Sequence, residues 1–185
     1  MERSHGYRHG RREHGVTLIE QIMAIAIMAV LAGVAAPPLH ALLSRNRLQT
    51  AQMDFIAALQ YARGSAALSG VRTVFCPTRD GARCSDETQW NGGWLLGTDS
   101  NHDNQPDAGP LRVGGSYPQL TILSSAGRHR VSFLPDGSAG GSNLTLVLCQ
   151  SGSGQDPLRV VVSNAGRVRG ARATTEQAAA CANAT

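Results

Sequence analysis

The sequence contains no lysine, so all 17 of its basic residues are arginine. The net charge is only +4, and the first 15 residues already carry four Arg against two Glu. The remainder holds 13 Arg and 11 acids, a balance too even for bulk charge to name a partner. Only local runs of Arg without acids carry information. Aromatics are scarce at 4%, which implies a small core filled by Val, Leu, Ile and Ala. No internal repeat is present. No Ser/His/acid set, paired carboxylates or phosphate-cradling Gly loop stands out, which argues against an enzyme, a cofactor and a small-molecule substrate. His5, His9 and His14 lie in the basic head, and His40, His102 and His129 are scattered, so no histidine cluster suggests a metal.

What is present begins with four cysteines, Cys76, Cys84, Cys149 and Cys181, all downstream of a long apolar run. An even count after an export-type segment fits disulfides in an oxidising compartment. The gap between Cys76 and Cys84 is wide for a zinc pair, and no His lies close to any Cys. Four cysteines allow three pairings. Cys76–Cys84 would order the turn-rich loop between them. Cys149–Cys181 would staple the tail to a strand, stabilising by about 3–4 kcal/mol on the loop-entropy model.

The apolar run reads "GVTLIEQIMAIAIMAVLAGVAAPPL" from Gly15, with Glu20 and Gln21 inside it. Counted from Val16 it approaches the roughly 20 residues that span hydrocarbon. Pro37 and Pro38 interrupt it, and a proline inside a helix bends it rather than always ending it. A cleavable secretory signal fits the basic head but not the interior carboxylate. A plain membrane anchor leaves Glu20 unexplained.

Beyond the prolines, Leu48, Gln52, Phe55, Leu59, Ala62 and Ala66 fall at helical spacings, apolar at all but one position. That pattern is one stripe of an amphipathic helix, and Gly70 is a natural stop. After Gly70 the period becomes two. Strands are expected at 71–76, 143–149 and 158–163, with shorter ones near 93–97, 111–113, 120–123 and 131–134. The Ala/Thr-rich tail after Arg172 is expected to be loose unless Cys181 ties it down.

"GVTLIE" followed by an apolar helix with a Pro resembles the prepilin signature of type IV pilins and type II secretion pseudopilins. The resemblance implies cleavage by a dedicated peptidase after Gly15 and N-methylation of Val16, where the family more often has Phe. It also implies that Glu20, fifth in the mature chain, pairs with the N-terminal amine of a neighbouring subunit. A buried carboxylate is tolerable beside a cation that also needs a partner. "VFCPTRDGARCSDETQWNGGWLLGTDSNHD" (74–103) and the late "GRVR" (166–169) are similar to the GspH/FimT/FimU branch of minor pilins. The implied architecture is α+β, a type IV pilin-like fold in which a long N-terminal helix packs against a small antiparallel β-sheet domain. The expected layout is a leader over 1–15, a helix over 16–69 that spans the inner membrane at about 16–38, and a periplasmic β-rich domain over 70–185. Implied partners are other pilin or pseudopilin subunits, the inner membrane and the prepilin peptidase.

Two constellations in the globular part bear on binding. In "TDSNHDNQPDAG", Asp99, Asn101 and Asp103 alternate as in a calcium loop, with Asp107 beyond. The glycine and the bidentate Glu such a loop needs are replaced by Asn104 and Pro110, so a solvated Asx-rich turn is the rival. In "LRVVVSNAGRVRGAR", four Arg and no acid lie between Pro157 and Thr175. On a strand Arg167 and Arg169 would share a face, about 7 Å apart, with Arg172 and Arg159 close by. Guanidinium groups without acidic partners suit phosphate oxygens, although Arg on an exposed strand is also ordinary. The GRxR motif resembles that of FimT-type pilins linked to DNA uptake, which implies double-stranded DNA as a partner. No aromatic is interleaved, so backbone contact without base stacking is expected. Arg128, His129 and Arg130 form a second, weaker basic spot. The alternative reading is an H-type pseudopilin of a type II secretion system.

Overall fold

A computed structural model describes residues 15, 17–125, 127–150 and 156–183, without the side chains of 34–38, 40–41 and 182–183. Residues 1–14 of the expected leader and Val16 lie outside the described residues. The chain divides into two units, one ending at His40 and one running from Ala41 to Thr185. Helix α1 (Leu18–Ser69) contributes to both.

In the first unit α1 opens at Thr17, whose hydroxyl accepts the backbone N–H of Glu20 at 3.4 Å. Thr at the N-cap with Glu three residues on is a capping-box arrangement, and the helix dipole favours a carboxylate in the first turn. Leu18, Ile19, Ile22, Met23, Ile25, Ile27, Met28, Val30 and Leu31 are all exposed. Among the described residues no helix is long and apolar enough to cross a membrane, and part of the expected span lies among the undescribed side chains.

In the second unit the helical stripe lands on the core. Leu48, Phe55, Leu59, Ala62 and Ala66 are buried, joined by Ala51 and Ala58. Gly70, at φ 67°, ends the helix, its N–H donating to the Ala66 carbonyl. Left-handed backbone at this position is natural for glycine. The strands then build two four-stranded antiparallel sheets. One has the order β3 (Arg112–Gly114), β2 (Trp94–Thr98), β1 (Thr73–Pro77), β5 (Val131–Phe133). The other has the order β4 (Thr121–Ser124), β6 (Leu144–Cys149), β7 (Leu158–Val162), β8 (Val168–Arg172). Phe75, Leu96, Val131 and Phe133 from the first sheet and Ile122, Leu146, Leu148, Val160 and Val162 from the second meet the helix stripe in one cluster.

One expectation is corrected here, and the condition set on the tail is met by Cys181. The few aromatics are not peripheral: Phe55, Phe75, Trp90, Trp94 and Tyr117 contact one another, with ring centroids 5.3–6.5 Å apart. Scarcity lowered the count without displacing the rings from the centre, because a large ring buries more apolar area than any aliphatic. The tail is a helix, α2 (Thr175–Asn183). Thr174 caps it reciprocally with Gln177: the Gln177 N–H donates to the Thr174 hydroxyl, and the Thr174 N–H to the Gln177 amide oxygen. Cys181 is bonded to Cys149, so α2 packs on β6 in a small cluster with Val147 and Ala173. Cys76 is bonded to Cys84.

Candidate nucleic-acid interface

The arginines singled out by the sequence lie on and around the β7–β8 hairpin. Its turn is Ser163–Gly166, closed by Gly166 N–H donating to the Ser163 carbonyl and Ser163 N–H donating to the Arg167 carbonyl. β8 is an edge strand of its sheet. The hairpin is seated on α1 by Gln52, the single polar member of the buried stripe. Its amide donates to the carbonyls of Arg159 at 2.9 Å and Ala171 at 3.2 Å, which are register partners on β7 and β8. A Cβ at Gly170 would lie 2.9 Å from both Gln52 and Ile56, so glycine lets β8 approach the helix closely.

This seating divides the four arginines. Val168 packs on the core, and Gly170 and Arg172 share its side of the strand. Arg172 lines a 190 Å3 cavity with Arg45, Gln49 and Asp156, and pairs with Asp156 at 3.1 Å. The acid-free window began one residue too late to include that carboxylate. Arg159 is partly buried; its Nη1 donates to Gln177 on α2 at 3.4 Å, and its Nε is buried without a partner among the described residues. Arg169 lies on the side of β8 away from the helix, opposite Val161. Arg167 precedes the strand at the turn. Arg167 and Arg169 are exposed, and among the described residues neither guanidinium has a hydrogen-bond or ion-pair partner. Of the four, Arg167 and Arg169 are thus the two guanidinium groups unpaired among the described residues, while Arg172 shares an exposed ion pair with Asp156 and Arg159 contacts Gln177. Charge along an edge strand also discourages edge-to-edge pairing, a role these residues serve whatever they bind.

The second basic spot is partly spoken for. Arg130 is ion-paired with Asp86, Arg128 donates to Asn143 at 3.3 Å, and His129 is half-buried. The loop that resembles a calcium site is held by bonds of its own, beginning with Asp99. That carboxylate is fully buried, pairs with Arg72 at 3.1 Å and accepts the Asn104 N–H. Asn101 and Asp103 close the loop between themselves through Asn101 Nδ2 and the Asp103 N–H. Asp107 accepts the N–H and hydroxyl of Ser100, bonds that hold its carboxyl below the usual range. These are the Asx-type turns of the rival reading.

Two residues that matter to the hairpin escaped sequence reasoning. Gln52 was visible as the polar interruption of an apolar stripe. Arg63, on α1, donates from Nε to the Gly137 carbonyl at 2.9 Å beside the β7–β8 turn, and nothing in the local sequence marks it.

The model for the type II transport protein GspH matches residues 51–166, more than half of the chain, and that for the prokaryotic N-terminal methylation motif matches residues 10–36. The crystal structure of the type IV minor pilin FimU of Pseudomonas aeruginosa (strain PAO1) is similar with a TM-score of 0.56 at 25% identity. The match covers 68% of this chain and 89% of FimU. The minor pseudopilin EpsH from the type 2 secretion system of Vibrio cholerae shares the fold, with a TM-score of 0.50 at 14% identity over 68% of this chain and 97% of EpsH. No curated protein matches the sequence. The chain therefore belongs to the GspH family, on the pilin-type fold that it shares with FimU and EpsH.

Proposed function

We propose that this GspH-family chain is a minor pilin of a type IV pilus that holds double-stranded DNA by its phosphate backbone during natural transformation. Its leader is removed after Gly15 and Val16 is methylated. The apolar helix first anchors it in the inner membrane, with the globular part in the periplasm, and then joins the filament core, where Glu20 meets a neighbouring subunit's terminal amine. The match to the N-terminal methylation motif supports the processing, and the uniformly exposed apolar side chains of Leu18–Leu31 support burial in lipid or against other subunits. The observation that carries DNA binding is the pair Arg167 and Arg169, exposed and without acidic partners on one hairpin. Such cations release condensed counterions when they meet a phosphate backbone.

The test uses the mature full-length chain in detergent micelles, titrated with a labelled duplex of arbitrary sequence. Weak binding with a salt slope of about −2 to −4 is expected, as for a few phosphate contacts. Replacing Arg167 and Arg169 together by Gln should remove most of it. Binding that persists after that change and in high salt overturns the assignment.

The second reading, an H-type pseudopilin of a type II secretion system, is favoured by the match to the GspH model itself. A deletion strain that loses enzyme secretion but keeps DNA uptake would select it.

A further inference from the structure

Arg167 does not face open solvent alone. It lines a 440 Å3 cavity whose other walls include Gln60, Arg63 and Gly64 of α1, Asp136 and Gly137. Three features build this cavity. Gly166, at φ 74°, brings the β7–β8 turn against the Gly137 carbonyl so closely that a Cβ would collide with it. Gly137, at φ 76°, in turn leaves room for Arg63, since a Cβ there would lie 3.2 Å from the Arg63 Nε. The bond from that Nε to the Gly137 carbonyl fixes the guanidinium plane beside the cavity. The terminal nitrogens of Arg63 have no partner among the described residues.

Two arginines from distant parts of the chain thus line one opening. A fixed guanidinium with free N–H groups is preorganised for phosphate oxygens, and little side-chain entropy remains to be lost on binding. Asp136 lines the same space without an ion pair to either arginine. Its Oδ1 accepts the Ser138 N–H at 2.8 Å, which holds the carboxyl below its ordinary range and keeps it ionised. It therefore opposes any anion that enters and sets a limit on affinity.

We infer that the DNA backbone is gripped in the cavity between α1 and the β7–β8 turn, where Arg63 acts as a second phosphate ligand beside Arg167 and Asp136 weakens the hold. This deepens the DNA-binding reading above and rests on it. It also gives Gly166 a role beyond the turn: only glycine lets the hairpin sit close enough to place Arg167 beside Arg63.

The mature full-length chain in detergent micelles, titrated with a labelled duplex, tests the inference. Arg63→Gln is expected to weaken binding roughly fivefold and to reduce the salt slope by about 1, as Arg167→Gln does. Arg63→Lys, which keeps the charge, recovers part of the loss. Asp136→Asn keeps the bond to Ser138 through its amide oxygen and should tighten binding. Arg172→Gln, on a residue already paired with Asp156, leaves binding near that of the parent. If Arg63→Gln binds like the parent while Arg167→Gln is weakened, the cavity is rejected and DNA binding stands. A parent chain that binds no duplex rejects both. Should Arg63→Gln fail to melt cooperatively, Asp136→Asn decides, and an unchanged affinity there overturns the inference.

Discussion

Gly166 lies against the carbonyl of Gly137 with no room for a side chain between them. Gly166 also adopts φ 74°, so any L-residue there meets both a strained backbone and a backbone clash. Because the obstacle is a carbonyl rather than a flexible side chain, relief requires the turn to lift from the Gly137 segment. Gly166→Ala is expected to cost about 1–3 kcal/mol, read as a fall in melting temperature. It should also weaken duplex binding although no cation has been removed. A variant that melts with the parent would show that the hairpin is not seated as described.

The register of the amphipathic stripe was legible because burial on one helix face imposes its own spacing, and Leu48 through Ala66 obeyed it. Period two carried the strands less far, since burial alternates at the end of β7 whereas β1 and β5 are buried at every position. Four features were less legible. Gln52 interrupts the stripe, and sequence periodicity does not say that its amide satisfies two carbonyls of a hairpin more than a hundred residues away. The tail's "TTEQ" carries a capping box, but its low apolar content hid a helix whose position depends on the Cys149–Cys181 bond. Asp156 lies beside Arg172 because β7 and β8 are antiparallel, which places the residue before Pro157 at the far end of the hairpin. Arg63 is the clearest case: its approach to Arg167 arises from tertiary packing alone.

The Cys149–Cys181 bond joins residues 32 apart and holds a short helix with little apolar surface of its own. A nine-residue helix is marginal in water without tertiary support. Cys181→Ser is expected to destabilise the fold by about 3–4 kcal/mol on the loop-entropy model. Loss of α2 should appear as reduced helical signal in circular dichroism and as early proteolysis after Arg172. If Cys181→Ser keeps the parent's melting temperature and protease resistance, the staple contributes nothing.

Tyr117 connects the aromatic cluster to the helix. Its hydroxyl donates to Asp54 and accepts the Trp94 indole N–H at 3.1 Å. Burial, with the Asp54 carboxylate beside it, pushes its ionisation above the ordinary 10.0. The neutral phenol is therefore favoured in the fold, and the stability it contributes is complete below pH 10. That stability is lost as pH rises through the folded value, because the unfolded tyrosine ionises first. The absence of lysine makes the effect readable: between pH 10 and 12 only tyrosines among the side chains titrate, since Arg remains charged and the cysteines are bonded. Tyr117→Phe should flatten the fall of melting temperature above pH 10 while lowering stability at neutral pH, where Asp54 and Trp94 lose their partner. An unaltered alkaline slope would show that Tyr117 does not carry the effect.

Glu20 has two physical accounts, and one substitution separates them. As the acidic residue of the first helical turn, three after Thr17, it suits a capping box and the positive end of the helix dipole. As the partner of a neighbouring subunit's amine, it must carry charge. Glu20→Ala is expected to leave membrane insertion intact and to impair filament incorporation, but it removes cap and charge together. Glu20→Gln keeps a side chain that can complete the capping box and removes only the charge. If pairing with the amine governs assembly, Glu20→Gln should fail in filament incorporation as severely as Glu20→Ala, measured by the subunit's recovery in sheared filaments. Recovery at the parent level would assign Glu20 to the helix start, because the cap alone would then be enough.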